Sequence, residues 1–255
     1  MCAISPRRIP GAYLSSMTTA DIVAIFAHRD DAELCAGGTL AAMARAGHRT
    51  AIIDLTAGEL GTRGTAEIRA AEAARAAEVL GVSVRENLGL PDAGITNTPD
   101  TRKLLAAVVR RLKPQVVIAP ALTGRHPDHR VAAELVRDAC FVAGLSKVLP
   151  GTPAHRPRKI LHATTYREDA PKPTFVFDIS ETLETKLEAI RCYVSQFKDE
   201  TAAGEAYGNG EPLAEIVRHQ SAHYGAMIRR QYGEPFFTTE TMRVTDLMSL
   251  DVSSI

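Results

Sequence analysis

The chain has no net charge, no clustering of its cysteines and no long apolar run. Its 255 residues carry 30 basic against 30 acidic side chains. That balance provides no electrostatic field to attract nucleic acid or an anionic membrane surface. The four cysteines, Cys2, Cys35, Cys140 and Cys192, lie far apart and form no C-x-x-C pair. This excludes a disulfide framework and a thiolate zinc finger, and it fits a reducing, cytoplasmic compartment. Cys35 reads as a small buried apolar residue. No segment reaches the ~18 consecutive apolar residues of a membrane span. Arg7 and Arg8 are not followed by the apolar stretch of a secretory signal. Residues 1–19 are expected to form a loose tail, with Met17 as an alternative start. Residues 20–255 are expected to form a single domain, a length sufficient for one full α/β core.

The patterning that is present alternates short apolar runs with helical periods. Strands are expected at 21–27 (DIVAIFA), 50–56 (TAIIDLT), 84–88 and 115–120 (QVVIAP). Helices are expected at 33–46, 66–80, from Pro99 to about 113 behind a Thr98 cap, and from about 127 to 143 before Gly144. Strand–helix alternation of this kind implies a Rossmann-like α/β/α fold with a mostly parallel sheet. Further strands are expected at 159–166, 174–179 and 235–238, with a helix at about 213–230. Leu183, Leu187, Ile190, Val194 and Phe197 recur at helical spacing and predict one amphipathic helix. The glycine-rich stretch around 204–210 reads as a connection, and a lid over the site is the alternative.

A dinucleotide fingerprint is also missing. A nucleotide-binding version of this fold places G-x-G-x-x-G after the first strand. Here that strand runs into His28-Arg29-Asp30-Asp31, and Gly37-Gly38 come too late. A histidine and two carboxylates within four residues suit a cation better than a pyrophosphate. His28 and Asp31 can converge on one metal across a single turn, leaving Asp30 as a base beside it. The plainer alternative is that Asp30 and Asp31 cap the following helix. A second cluster, Arg125-His126-Pro127-Asp128-His129, follows the fourth strand. In the common strand order the first and fourth strands are neighbours at the topological switch point, so both clusters would face one crevice. Two histidines and a carboxylate make a catalytic-type zinc site, which activates water and polarises a carbonyl.

The segments AHRDDAELCAGGTLA and RHPDH together resemble the LmbE-like/PIG-L family of zinc de-N-acetylases, over about residues 20–240. Within it, DLTAGELGTRGTAEIR, NLGLPDAGI, FVFDIS and SQF are most similar to the deacetylases of bacillithiol biosynthesis. The resemblance implies one Zn²⁺ held by His28, Asp31 and His129, with other divalent ions also accepted by such a site. It implies Asp30 as general base, His126 as transition-state stabiliser and Asp128 as the group that orients His126. Arg69 is implied as a substrate contact, and Arg125 and Glu59 are weaker substrate candidates. The implied substrate is N-acetylglucosaminyl-malate. Another N-acetylglucosaminyl compound is the alternative, and a non-catalytic ligand-binding protein of the same fold is a third reading. A homo-oligomer is implied, among close relatives a hexamer. Arg29 stands where the family has proline, and it is expected to reach outward to an anionic group of the substrate.

Overall fold

The computed structural model describes residues 19–164, 172–197 and 212–252. The expected tail, the alternative start at Met17 and the stretch around 204–210 therefore lie outside the described residues. Seven strands form one sheet: β1 (Ile22–Phe26), β2 (Thr50–Thr56), β3 (Val84–Leu90), β4 (Val116–Pro120), β5 (Lys159–Ala163), β6 (Phe175–Asp178) and β7 (Gly233–Phe237). Their order is β3-β2-β1-β4-β5-β7-β6. The five strands from β3 to β5 run parallel, while β7 pairs antiparallel to both β5 and β6. The sheet is mostly parallel, as expected, and β1 and β4 are neighbours with Ile22 opposite Val116.

The central parallel strands β1, β2 and β4 are largely apolar and buried on both faces because both are covered. Val23 and Ile25 of β1 face a core shared with α3 (Pro99–Leu112) and α4 (Pro127–Ala143), through Leu105 and Leu135. Ile22, Ala24 and Phe26 face the opposite core, shared with α1 (Asp31–Arg45), α2 (Ala66–Leu80) and α5 (Leu183–Arg191). Helix α7 (Leu213–Met227) adds an outer layer on α5, where Val217 meets Leu187. Local chemistry sets several boundaries. The Thr65 and Thr98 side chains accept the first free N–H groups of α2 and α3, and Pro99 and Pro127 sit in first turns where no donor is lost.

One expectation is corrected. The single amphipathic helix ending at Phe197 is broken after Arg191 into α5 and a short α6 (Val194–Phe197). The break is at Cys192–Tyr193. Tyr193 is fully buried and its hydroxyl donates to Glu33 at 2.9 Å. At the break the backbone tightens, with the Cys192 and Tyr193 N–H groups donating three residues back to the Ala189 and Ile190 carbonyls, although the apolar spacing continues through it. Of the cysteines among the described residues, Cys35 and Cys140 are buried and Cys192 is half-buried, and none is in a disulfide.

Candidate metal centre and its cleft

Both clusters lie at the carboxyl edge of the parallel strands, where α/β sheets hold ligands. After β1 the chain turns into α1, and the His28 N–H donates to Asp31 Oδ2 at 2.9 Å. This bond fixes the turn and aims the Asp31 carboxylate. After β4 the loop reaches His126, the N-cap of α4, whose Nδ1 accepts the Asp128 N–H at 3.2 Å. His129 follows one turn later on α4.

Three donors meet between these elements. His28 Nδ1 is 3.3 Å from Asp31 Oδ2, His129 Nε2 is 3.1 Å from the same oxygen, and the two ring nitrogens are 3.3 Å apart. A tetrahedral ion with bonds of about 2.0–2.1 Å has ligand atoms roughly 3.3 Å from one another. The triangle fits a divalent metal. His126 offers a further nitrogen within 4.8 Å of His28 and His129. Asp30 is the N-cap residue of α1 but makes no side-chain cap bond, so capping does not explain its carboxylate.

The electrostatics follow from this crowding. Burial pulls the His28 imidazole down, but the Asp31 hydrogen bond and the charges of Asp31, Asp30 and Asp92 outweigh it and raise its pKa to about 9. Burial pushes Asp31 up, yet His129 and His28 hold it well below the usual carboxylate range. Asp30 is raised, first by burial and then by the Asp31 charge, against Arg69 and His28. His126 is lowered, first by burial and then by His129 and His28. Its Nδ1 acts as an acceptor, which assigns the proton of the neutral ring to Nε2.

The cluster lines a cleft of about 330 Å³, together with Leu34, Leu60, Arg69, Asp92, Arg125 and Phe197. A larger groove of about 1160 Å³ opens beside β5, α4 and residues 238–243, but among the described residues it contains no histidine and no member of the two clusters. The chemistry selects the smaller cleft.

Arg69 is buried on α2. Its Nη1 donates to the Gly58 carbonyl at 3.1 Å and its Nη2 lies 3.5 Å from Asp30 Oδ1, while its Nε is buried without a partner. Gly58 has a φ of +68°, and a Cβ there would lie 2.2 Å from Arg69 Nη1, so both backbone and space require glycine. Arg125 is exposed at the rim of the cleft. Glu59 is exposed and does not line the cleft; its carboxylate accepts the Asp92 N–H at 2.8 Å.

Two expectations change here. Among the described residues the Asp128 carboxylate makes no hydrogen bond to His126: its Oδ2 accepts the Ala93 N–H at 2.8 Å and lies 3.4 Å from His28 Nε2, and it is the Asp128 backbone N–H that donates to His126. Arg29 does not reach outward. It is 9% exposed and its guanidinium donates to the Ala66 carbonyl, at the start of α2. Its own carbonyl accepts from Arg85 Nη2 at 3.0 Å.

Asp92 is a site residue that the sequence reading misses. Its Oδ1 lies 3.2 Å from His28 Nε2 and its Oδ2 accepts the Leu60 N–H at 2.9 Å. The available signal is its place in NLGLPDAGI, on the turn after a strand that ends at the same edge. The SQF stretch is explained as well. Ser195 donates twice to Glu72, Gln196 Nε2 donates to the Arg63 carbonyl at 2.7 Å, and Phe197 supplies an apolar wall of the cleft.

Comparison with known proteins identifies relatives of this chain. The family model described as PIG-L, GlcNAc-PI de-N-acetylase, matches residues 23–140. The diacetylchitobiose deacetylase of Thermococcus kodakarensis is 30% identical, over 84% of this chain and 80% of that protein. A probable N-acetyl-alpha-D-glucosaminyl L-malate deacetylase 2 of Bacillus anthracis is 28% identical, over 69% and 81%. A 4-oxalmesaconate hydratase of Pseudomonas putida is also 28% identical, over 68% and 72%. The crystal structure of a conserved protein from Thermus thermophilus superposes with a TM-score of 0.80 at 33% identity, covering 90% of this chain and 99% of that one. The chain belongs to the PIG-L, or LmbE-like, family of metal-dependent de-N-acetylases.

Proposed function

We propose that this chain hydrolyses the acetamide of a small N-acetylglucosaminyl conjugate, with zinc as its metal. The observation that carries the proposal is the donor triangle of His28, Asp31 and His129 with the Asp30 carboxylate beside it. When bound there, a divalent ion supplies Lewis acidity and makes a water acidic near neutral pH. Asp30 takes the proton of the attacking water, a role that suits a carboxylate raised above its ordinary value. Arg69, 3.5 Å from Asp30, holds that carboxylate in place. His126 donates its Nε2–H to the oxygen that becomes negative as the carbonyl carbon turns tetrahedral. Asp30 returns the proton to the nitrogen as the C–N bond breaks, releasing acetate and a free amine. The Asp92 and Asp128 carboxylates lie 3.2 and 3.4 Å from His28 Nε2 and favour a proton on that nitrogen, which leaves Nδ1 for the metal.

For the aglycone, the preferred substrate is N-acetylglucosaminyl-malate, as in bacillithiol synthesis. Arg125 at the rim supports it as a cation for the malate carboxylates. With Arg29 buried, that support rests on Arg125. A chitin disaccharide is the second reading, favoured by the similarity to the Thermococcus enzyme over four-fifths of its length. Self-association, up to a hexamer, is supported by exposed Met242, Val244, Leu247, Met248, Leu250 and Val252. Light scattering of the purified chain tests it. The free thiols fit a reducing, cytoplasmic compartment. Among the described residues no helix is long and apolar enough to cross a membrane.

The functional test is acetate release from the malate conjugate, from diacetylchitobiose and from N-acetylglucosamine, before and after chelation. Chelator-sensitive release from the malate conjugate supports the whole proposal. Release from the disaccharide alone overturns the aglycone, and release from none overturns the reaction.

A further inference from the structure

We propose that Arg29 is a positioning residue: its buried guanidinium ties the turn carrying Asp30 to the helix carrying Arg69, and so sets the register between these two side chains. The inference rests on the proposed function for its kinetic consequence, though not for its structural one.

The turn between β1 and α1 carries His28, Asp30 and Asp31, while Arg69 comes from α2, across the cleft wall. Asp30 and Arg69 meet at 3.5 Å, the outer range of an ion pair, so their approach is not fixed by a tight bond of their own. Arg29, next to Asp30, donates to the carbonyl of Ala66, one helical turn before Arg69. The bond spans the same two elements as the Asp30–Arg69 contact, at its base. The far side of the turn is also held, by Arg85 Nη2 on the Arg29 carbonyl. Arg85 is in turn anchored by Asp54 at 2.9 Å and by Glu33. The turn is therefore clamped from below by two arginines, one through its side chain and one through its backbone.

Burial of Arg29 makes the link costly to give up. A cation largely out of water must find partners, and Arg29 sits close to two other cations, Arg69 and Arg85, with Asp54 as its nearby counter-charge. A side chain kept there under those conditions is held by what it bonds, and that is the first turn of α2. A proline would stiffen the turn but could not make this bond to α2.

The test uses Arg29→Met and Arg29→Lys in the full chain, with two readouts. The first is hydrogen exchange at the Arg69 side-chain Nε–H, followed by ¹⁵N NMR, which requires no substrate. In Arg29→Met it should accelerate on the order of tenfold while the amides of β1 and β4 keep their protection. Arg29→Lys, which still donates to Ala66, should keep most of the protection. The second is kinetics on an N-acetylglucosaminyl conjugate: kcat should fall about tenfold in Arg29→Met with KM changed less than about threefold. The same change should cost little further in an Arg69→Met background, because the effect acts through Arg69. Unchanged Arg69 exchange in folded Arg29→Met, or full additivity with Arg69→Met, overturns the proposal. If Arg29→Met does not fold, loss of Arg69 protection in folded Arg29→Lys overturns it instead. A wild type that releases no acetate defeats the proposed function, and the exchange readout still decides the role of Arg29.

Discussion

His129 Nε2 lies 3.1 Å from Asp31 Oδ2, although one residue belongs to the first turn of α4 and the other opens α1. Neither element alone could hold an ion, and the adjacency of β1 and β4 brings them together. His129→Ala removes one corner of the triangle. Zinc affinity, measured by chelator competition, should fall by more than the roughly 10–100-fold cost of losing an outer partner, with the thermal midpoint of the metal-free protein nearly unchanged. Unaltered affinity would place the ion elsewhere.

Asp30 lines the cleft but is not a corner of that triangle. Asp30→Asn should therefore bind zinc as the wild type does while kcat falls about 10²–10⁴-fold, the usual contribution of a general base. A parallel loss of zinc would make Asp30 a ligand rather than a base.

Asp128 separates two views of the site. Its carboxylate faces His28 and the Ala93 N–H, whereas it is its backbone N–H that donates to His126. Asp128→Asn should weaken zinc binding about tenfold or more by loosening His28. His126→Ala should leave zinc in place and lower kcat about 10²–10³-fold by removing an oxyanion donor. If Asp128→Asn instead reproduces His126→Ala, with intact zinc affinity and low kcat, the carboxylate acts on His126 after all.

The Gly37-Gly38 pair also has a structural use. A Cβ on Gly38 would lie 2.8 Å from Ile179, and the Gly38 N–H donates to the buried Glu234 carboxylate at 2.9 Å. Glu234 also accepts from Thr39 and from Lys186, at 2.7 Å. Gly38→Ala should cost about 1–3 kcal/mol through overpacking, read as a lower urea midpoint with unchanged zinc affinity. A neutral effect would show that the Ile179 segment, between β6 and α5, moves away freely.

Much of this site is legible in the sequence because its residues sit next to strand ends. His28, Asp31, His126 and His129 each lie within nine residues after an apolar run that reads as a strand. Strand adjacency then follows from a general rule of parallel sheets. What is not legible depends on long-range placement. Asp92 reaches His28 only because the loop after β3 folds back, pinned by Leu60. Arg29 looks like a surface residue in its local sequence, and only the position of α2 shows that it is buried. Tyr193 keeps the helical spacing of its neighbours, and neither the tightened turn there nor its contact with Glu33 of α1 leaves a local trace. The antiparallel pairing of β6 with β7 likewise joins segments that no local signal connects.

The central claim is that His28, Asp31 and His129 hold the ion that drives acetamide hydrolysis. It is tested most directly by stripping the wild type and the His129→Ala variant of metal, adding zinc stepwise, and following bound zinc and acetate release from N-acetylglucosaminyl-malate in the same samples. The account predicts that wild-type activity returns in step with a single bound equivalent, while His129→Ala neither retains zinc nor regains activity. Acetate release that survives complete removal of metal, or a fully active His129→Ala, would contradict it.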